Sequence, residues 1–105
     1  MTGPTTRDFR IGSTVTIPCN VTADPRIINA VTVRWEKDGQ SLQGPKYLIR
    51  NSYPDYSLTI NNAQIQESGN YTCTMTAVIA QVPGQSIVDS KTGVINFNGK
   101  YLLCK

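Results

Sequence analysis

Two cysteines, Cys19 and Cys73, fall on the inward side of two separate alternating runs, and the only tryptophan, Trp35, falls on the inward side of a third run between them. Alternation matters because successive side chains of a strand point to opposite faces, so apolar residues at every second position mark a half-buried sheet. In residues 13–21, Val15, Ile17, Cys19 and Val21 point one way and Thr14, Thr16 and Asn20 the other. Residues 31–37 repeat this with Val31, Val33 and Trp35 inward, and Asp38-Gly39 then supplies a turn signal. The most regular run is 70–78, with Tyr71, Cys73, Met75 and Ala77 on one face and Thr72, Thr74 and Thr76 on the other, wet face. Shorter runs at 47–50 and 56–60, the latter with Leu58 and Ile60 inward, and a last strand within 87–97 complete the set. Loops or polar bends separate them at 24–29, 43–45, 51–55 and 61–68, and two turn signals, 82–85 and 89–93, compete for the final hairpin. No stretch has the period of an amphipathic helix. Seven or eight short strands with turn chemistry about every ten residues predict an all-β, two-sheet antiparallel sandwich.

In such a sandwich the sheets lie roughly 10 Å apart, a gap that a cystine is about the right length to span, and a large indole beside it fills the volume the bridge leaves. Closing a loop of this size is worth roughly 4 kcal/mol in the chain-entropy model, comparable to the whole net stability of a small domain. Two residues before Cys73 stands Tyr71, preceded by Glu67-Ser68-Gly69-Asn70. A tyrosine there can keep its ring in the core and return its hydroxyl to the backbone of the preceding corner.

Composition narrows the function classes. The chain has 105 residues, enough for one domain. It has no histidine, which removes Ser-His and Cys-His catalysis and fingers built on cysteine and histidine. Three cysteines cannot form a four-thiolate metal site. Ten basic residues against seven acidic ones leave a net charge of +3, and Lys37, Lys46, Arg50, Lys91 and Lys100 are scattered without an aromatic platform, so nucleic acid is not an expected partner. Glu36 and Asp38 form the one carboxylate pair that could suggest hydrolysis, but they sit at an exposed turn. No cofactor, metal or catalytic residue is expected. No apolar run approaches the roughly 18 to 20 residues that cross a bilayer, so the chain is expected to be soluble and not to insert into a membrane. Its first residues lack the basic and apolar regions of a secretory leader.

The residues Gly12-Ser13-x-Val15-x-Ile17-x-Cys19, Trp35, Leu58-x-Ile60 and Glu67-x-Gly69-x-Tyr71-x-Cys73 together resemble the immunoglobulin superfamily, over about residues 5–97. Ala23-Asp24-Pro25, Trp35-x-x-Asp38-Gly39, Ile60-x-Asn62-Ala63 and Val88-Asp89-Ser90 are most similar to intermediate-type domains, in particular the later ones of contactin- and neuroglian-like adhesion receptors. The resemblance implies an immunoglobulin-like domain over residues 5–99, with 100–105 as a tail or the start of a following segment. It also implies a noncatalytic module of a cell-surface or secreted protein, serving as a contact surface or a spacer, with homophilic or heterophilic protein partners and sister domains in the parent chain. Glu67 stands where the family usually has aspartate, which leaves Lys46 and Arg50 as alternative partners for the family's salt bridge. Pro18 lacks a ladder donor, so that part of its strand is expected to be unpaired.

Two sequons, Asn20-Val21-Thr22 and Asn70-Tyr71-Thr72, place asparagines beside inward residues and so turn both outward, where each could hold a glycan. With the cysteine pair they favour an extracellular setting; the alternative is a structural module of an intracellular muscle or cytoskeletal filament, whose cysteines stay reduced. Cys104 is left over, either for an intermolecular disulfide or as a free thiol in a tail. For protein contact the candidates are Ile27 and Ile28 in the loop before the tryptophan strand, Tyr53 and Tyr56, and Ile79 and Val82. Ile27, Ile28 and Ile79 could equally cap the end of the core.

Overall fold

The computed structural model describes residues 1–24, 26, 28–42, 44–80, 82 and 84–99. Its strands are β1 (Arg7–Arg10), β2 (Val15–Ile17), β3 (Ile28–Lys37), β4 (Gln40–Ser41), β5 (Tyr47–Ile49), β6 (Leu58–Ile60), β7 (Gly69–Ile79) and β8 (Ser86–Asn98). They form a five-stranded sheet in the order β1-β8-β7-β3-β4 and a three-stranded sheet in the order β2-β6-β5. All pairings between strands are antiparallel except β1 with β8, which is parallel. This is the all-β two-sheet sandwich expected from the alternation. Among the described residues the one helical element, a single 3-10 turn at Ile65–Glu67, lies inside the bend read as polar and irregular.

The core is what the period-two pattern foretold. Val15, Ile17, Cys19 and Val21 are buried from one sheet side, Leu58 and Ile60 beside them, and Trp35, Tyr71, Cys73 and Ala77 from the facing sheet, with Ile95 and Phe97 from β8. Cys19 and Cys73 are bonded across the interior with their Cα atoms 6.5 Å apart. Trp35 is the direct cross-strand neighbour of Cys73, and its indole N–H donates to the Tyr56 carbonyl at 2.8 Å, so a buried donor is satisfied. Tyr71, wholly buried, donates its hydroxyl to the Glu67 carbonyl at 2.5 Å. One threonine of the wet face departs from the reading: Thr74 is buried, because Arg34 and Ser90 flank it on the neighbouring strands and its hydroxyl lies 3.1 Å from that of Ser90.

β2 stops at Ile17, immediately before Pro18, and beyond the proline the Cys19 carbonyl is taken by the Tyr56 N–H at 2.8 Å. Of the two partners open to Glu67, the structure selects Lys46, whose Nζ is 3.4 Å from Oε1; Arg50 pairs with Asp55 at 3.2 Å. Glu67 also accepts the Gln64 N–H at 2.6 Å, closing a capping box on the 3-10 turn.

Of the competing hairpin signals, the turn falls at the first: β7 ends at Ile79, β8 begins at Ser86, and the Gln85 N–H donates to the Val82 carbonyl at 3.0 Å. Residues 89–93 are strand, and Gly93 has a different task. A Cβ built on it would lie 2.7 Å from the Thr5 carbonyl oxygen and 2.8 Å from Pro4 backbone carbon, so glycine lets the N-terminal segment cross over β8. Ahead of that crossing, Thr2 and Asn20 exchange backbone hydrogen bonds of 2.9 and 2.8 Å in an isolated antiparallel bridge.

Candidate recognition groove

At the end of the sandwich that carries loop 22–28 and turn 51–55, an open groove of about 430 Å³ is lined by Ala23, Ile28, Asn29, Ala30, Val31, Tyr53 and Tyr56. One wall comes from the loop leading into β3. Asp24 organises it: its carboxylate accepts the Arg26 N–H at 2.9 Å and the Arg26 guanidinium at 3.0 and 3.2 Å, and its carbonyl accepts the Ile28 N–H at 2.9 Å. The Arg26 side-chain bond, then its backbone N–H, holds the Asp24 carboxyl below its ordinary range. A bulge between Ile28 and Ala30 shifts the register of β3 against β7 at this point.

The other wall is the turn at residues 52–55, which contains a cis Tyr53–Pro54 peptide. Ser52 and Asp55 exchange backbone bonds of 3.1 and 2.7 Å, and Asp55 accepts the Ser57 N–H at 3.0 Å. That backbone donor, ahead of the Arg50 charge, keeps the Asp55 carboxyl low. The walls are clamped together by Tyr53, whose hydroxyl accepts the Ala23 N–H at 2.7 Å and donates to the Ala23 carbonyl at 3.1 Å. The Tyr53 ring is thereby held 51% exposed, edge-on to Tyr56 with centroids 6.5 Å apart. Tyr56 is the floor, with its ring buried and its backbone bonded both to Cys19 and to the Trp35 indole. Burial raises its phenol above the ordinary range.

Three of the sequence candidates therefore meet here: Ile28, Tyr53 and Tyr56. Ile79 is paired with Ile28 across β3 and β7 and is half-buried, as an end-capping residue would be. Val82 is 47% exposed at the hairpin turn and is not part of the groove lining. Ile27 and Cys104 lie outside the described residues. Both sequon asparagines are exposed, Asn20 at its bridge to Asp55 and Asn70 on β7 opposite Val94. Ala23, Ala30 and Val31 belong to the groove without having been named as contact candidates: Val31 reads as an inward core residue, and a small alanine beside a turn carries no contact signal of its own. The chemistry on offer is apolar and aromatic contact area with a polar tip, which suits protein surfaces. Among the described residues, no three Cys, Asp or Glu side chains gather in a group able to hold a metal ion, and no helix is long and apolar enough to cross a membrane.

Comparison with known proteins agrees with this architecture. The chain is 38% identical over 71 residues to Roundabout homolog 3 of Homo sapiens, covering 68% of the chain and 5% of that protein. It is 37% identical over 79 residues to the cell adhesion molecule DSCAM of Homo sapiens, covering 74% of the chain and 4% of that protein. The chain thus spans about a twentieth of the length of these relatives. Among solved structures, titin domain M7 superposes with a TM-score of 0.69 at 25% identity, covering 93% of this chain and 90% of that one. The model of the immunoglobulin I-set domain matches residues 2–87. The sandwich, its cystine and indole, and this match make the chain a member of the immunoglobulin I-set family.

Proposed function

We propose that the chain is an extracellular module of a cell-surface adhesion molecule or receptor, that it works by noncatalytic protein contact, and that the groove under Tyr53 is its contact site. The observation that carries this reading is the clamped, exposed tyrosine over an apolar floor, an anchor of low entropic cost beside a pocket. The extracellular placement is supported by the cystine, by two exposed sequons and by a relative whose name is that of a cell adhesion molecule. As the working unit we take residues 5–99 together with the N-terminal residues that pair with Asn20, and sister domains of the parent chain are further partners. The narrower likeness to contactin- and neuroglian-like receptors rests on the quoted residues alone.

Binding of the labelled chain to intact cells tests the reading. Tyr53→Ala and Ile28→Ser should each reduce it about tenfold, measured well below the melting temperature of each variant. Full binding by both variants would refute the groove as the contact site. A second reading, a structural module of an intracellular filament, is supported by the fold likeness to titin and twitchin domains. Intact mass of protein from its native source, before and after deglycosylation and reduction, separates the two. Glycan at Asn20 or Asn70 with a closed cystine supports the first; empty sequons and labelled Cys19 and Cys73 thiols support the second.

A further inference from the structure

The outer face of the three-stranded sheet is a regular grid. Thr16 of β2 stands opposite Thr59 of β6, and Thr59 opposite Leu48 of β5. The same register continues past the strand ends: isolated antiparallel bridges set Asn20 opposite Asp55 and Asp55 opposite Ser52. Counting from either end puts Pro18 opposite Ser57 and Ser57 opposite Arg50, whose N–H donates to the Ser57 carbonyl at 2.9 Å. Ile17, Cys19, Val21, Tyr56 and Leu58 alternate with these and are buried, which turns Thr16, Pro18 and Asn20 outward in one column. Over the grid lies an open groove of about 440 Å³, lined by Thr16, Thr59, Ser57, Asp55, Arg50 and Leu48 among others. Leu48 is 57% exposed there. Around it the Thr16 and Thr59 hydroxyls lie 3.1 Å apart, and Arg50 Nε stands 3.2 Å from Asp55 Oδ2.

We propose that this groove seats the glycan carried by Asn20, so that the sugar forms part of the surface of the folded domain. The inference rests on the extracellular reading, since only a secreted chain meets the glycosylating enzyme. What commits the groove to this occupant is the tether. Asn20 heads the column whose next members are Pro18 and Thr16, and a sugar attached to it is held at high effective concentration over the groove. Alternate residues of a strand lie about 7 Å apart, close to the span of one pyranose unit with its linkage. The first sugar therefore reaches the row of Pro18, Ser57 and Arg50, and the second the row of Thr16, Thr59 and Leu48. The chemistry matches. N-acetylglucosamine offers C–H faces that Pro18 and Leu48 can cover, and a rim of hydroxyls and an acetamide for which Ser57, Thr59 and the Arg50–Asp55 pair supply donors and acceptors. Asn70 stands on the five-stranded sheet opposite Val94, outside this grid.

The test uses the whole chain, secreted from mammalian cells behind a cleavable leader, with Asn70→Gln to leave one sequon. Intact mass before and after deglycosylation should show one glycan, at Asn20. Thr22→Ala abolishes that sequon through an exposed residue. The glycosylated chain should melt about 4–8 °C above it, after subtracting the difference between the same two proteins made in the bacterial periplasm, where the cystine forms and this glycan is not added. That increment should fall by at least half when Leu48→Ser is introduced into every protein of the comparison. An empty Asn20, a zero increment, or an increment indifferent to Leu48→Ser overturns the proposal. The leader routes the chain through the glycosylating compartment whatever its native location, so these outcomes bear on the sugar-covered face; the mass of native-source protein bears separately on the extracellular reading.

Discussion

Replacing Tyr71 by phenylalanine removes one hydroxyl and keeps the ring. The hydroxyl is wholly buried and donates to the Glu67 carbonyl at the base of the 3-10 turn. Losing a buried hydrogen bond and stranding its acceptor costs about 1–2 kcal/mol near neutral pH, which for a domain of this size lowers Tm by roughly 5–15 °C. A second consequence separates this bond from mere packing. Burial first, with nearby Tyr47, Glu67 and Asp38 adding to it, raises the Tyr71 phenol well above its ordinary value in the fold, whereas in the unfolded chain it titrates near 10. A group whose folded value is raised stabilises the fold below its unfolded value and ceases to do so as pH climbs past it. By about pH 11 the unfolded native chain gains about 1.4 kcal/mol from ionising this phenol. The phenylalanine variant has no such gain. The stability gap should therefore shrink by about that amount between neutral pH and about pH 11, to near zero or beyond. Urea unfolding of the two proteins across this range, followed by circular dichroism, measures it. A gap that is absent at neutral pH, or that stays constant with pH, would refute the reasoning.

Gly93→Ala should destabilise by about 1–3 kcal/mol, because the added methyl meets Pro4–Thr5 backbone rather than a side chain that could swing aside; thermal melting reads it, and an unchanged Tm would count against the crossing. Lys46→Met should cost no more than about 1 kcal/mol, since Lys46 is partly exposed and the Gln64 N–H still holds Glu67, and the native advantage should fade with added salt in chemical denaturation. Cys73→Ala should cost roughly 4 kcal/mol under oxidising conditions by loss of the cross-link alone, and a melting curve identical to that of the native chain would contradict the bonded pair.

The core was legible because burial on one face imposes period two, and Val15, Ile17, Cys19, Val21, Leu58, Ile60, Tyr71 and Cys73 obey it. The tyrosine at the corner was legible too, since its spacing from Cys73 fixes where the hydroxyl can reach. Other features were not, because their causes lie across the fold. Gly93 reads as a turn residue, and only the strand crossing above it explains it. The choice between Lys46 and Arg50 for Glu67 depends on Asp55 being close enough to take Arg50. The groove was half legible: Ile28, Tyr53 and Tyr56 announce themselves as large side chains in loop-like sequence, but that Tyr53 bridges to Ala23 depends on two segments meeting at one end of the sandwich.

Tyr56 belongs to two neighbourhoods at once. Its ring floors the groove, while its amide and carbonyl are fastened to Cys19 and to the indole. A visitor arriving at that ring meets a surface already stiffened from beneath. Docking there should cost little ordering of the host, and its selectivity should come from shape, as with a key cut for a fixed lock, more than from any moulding of the protein around its guest.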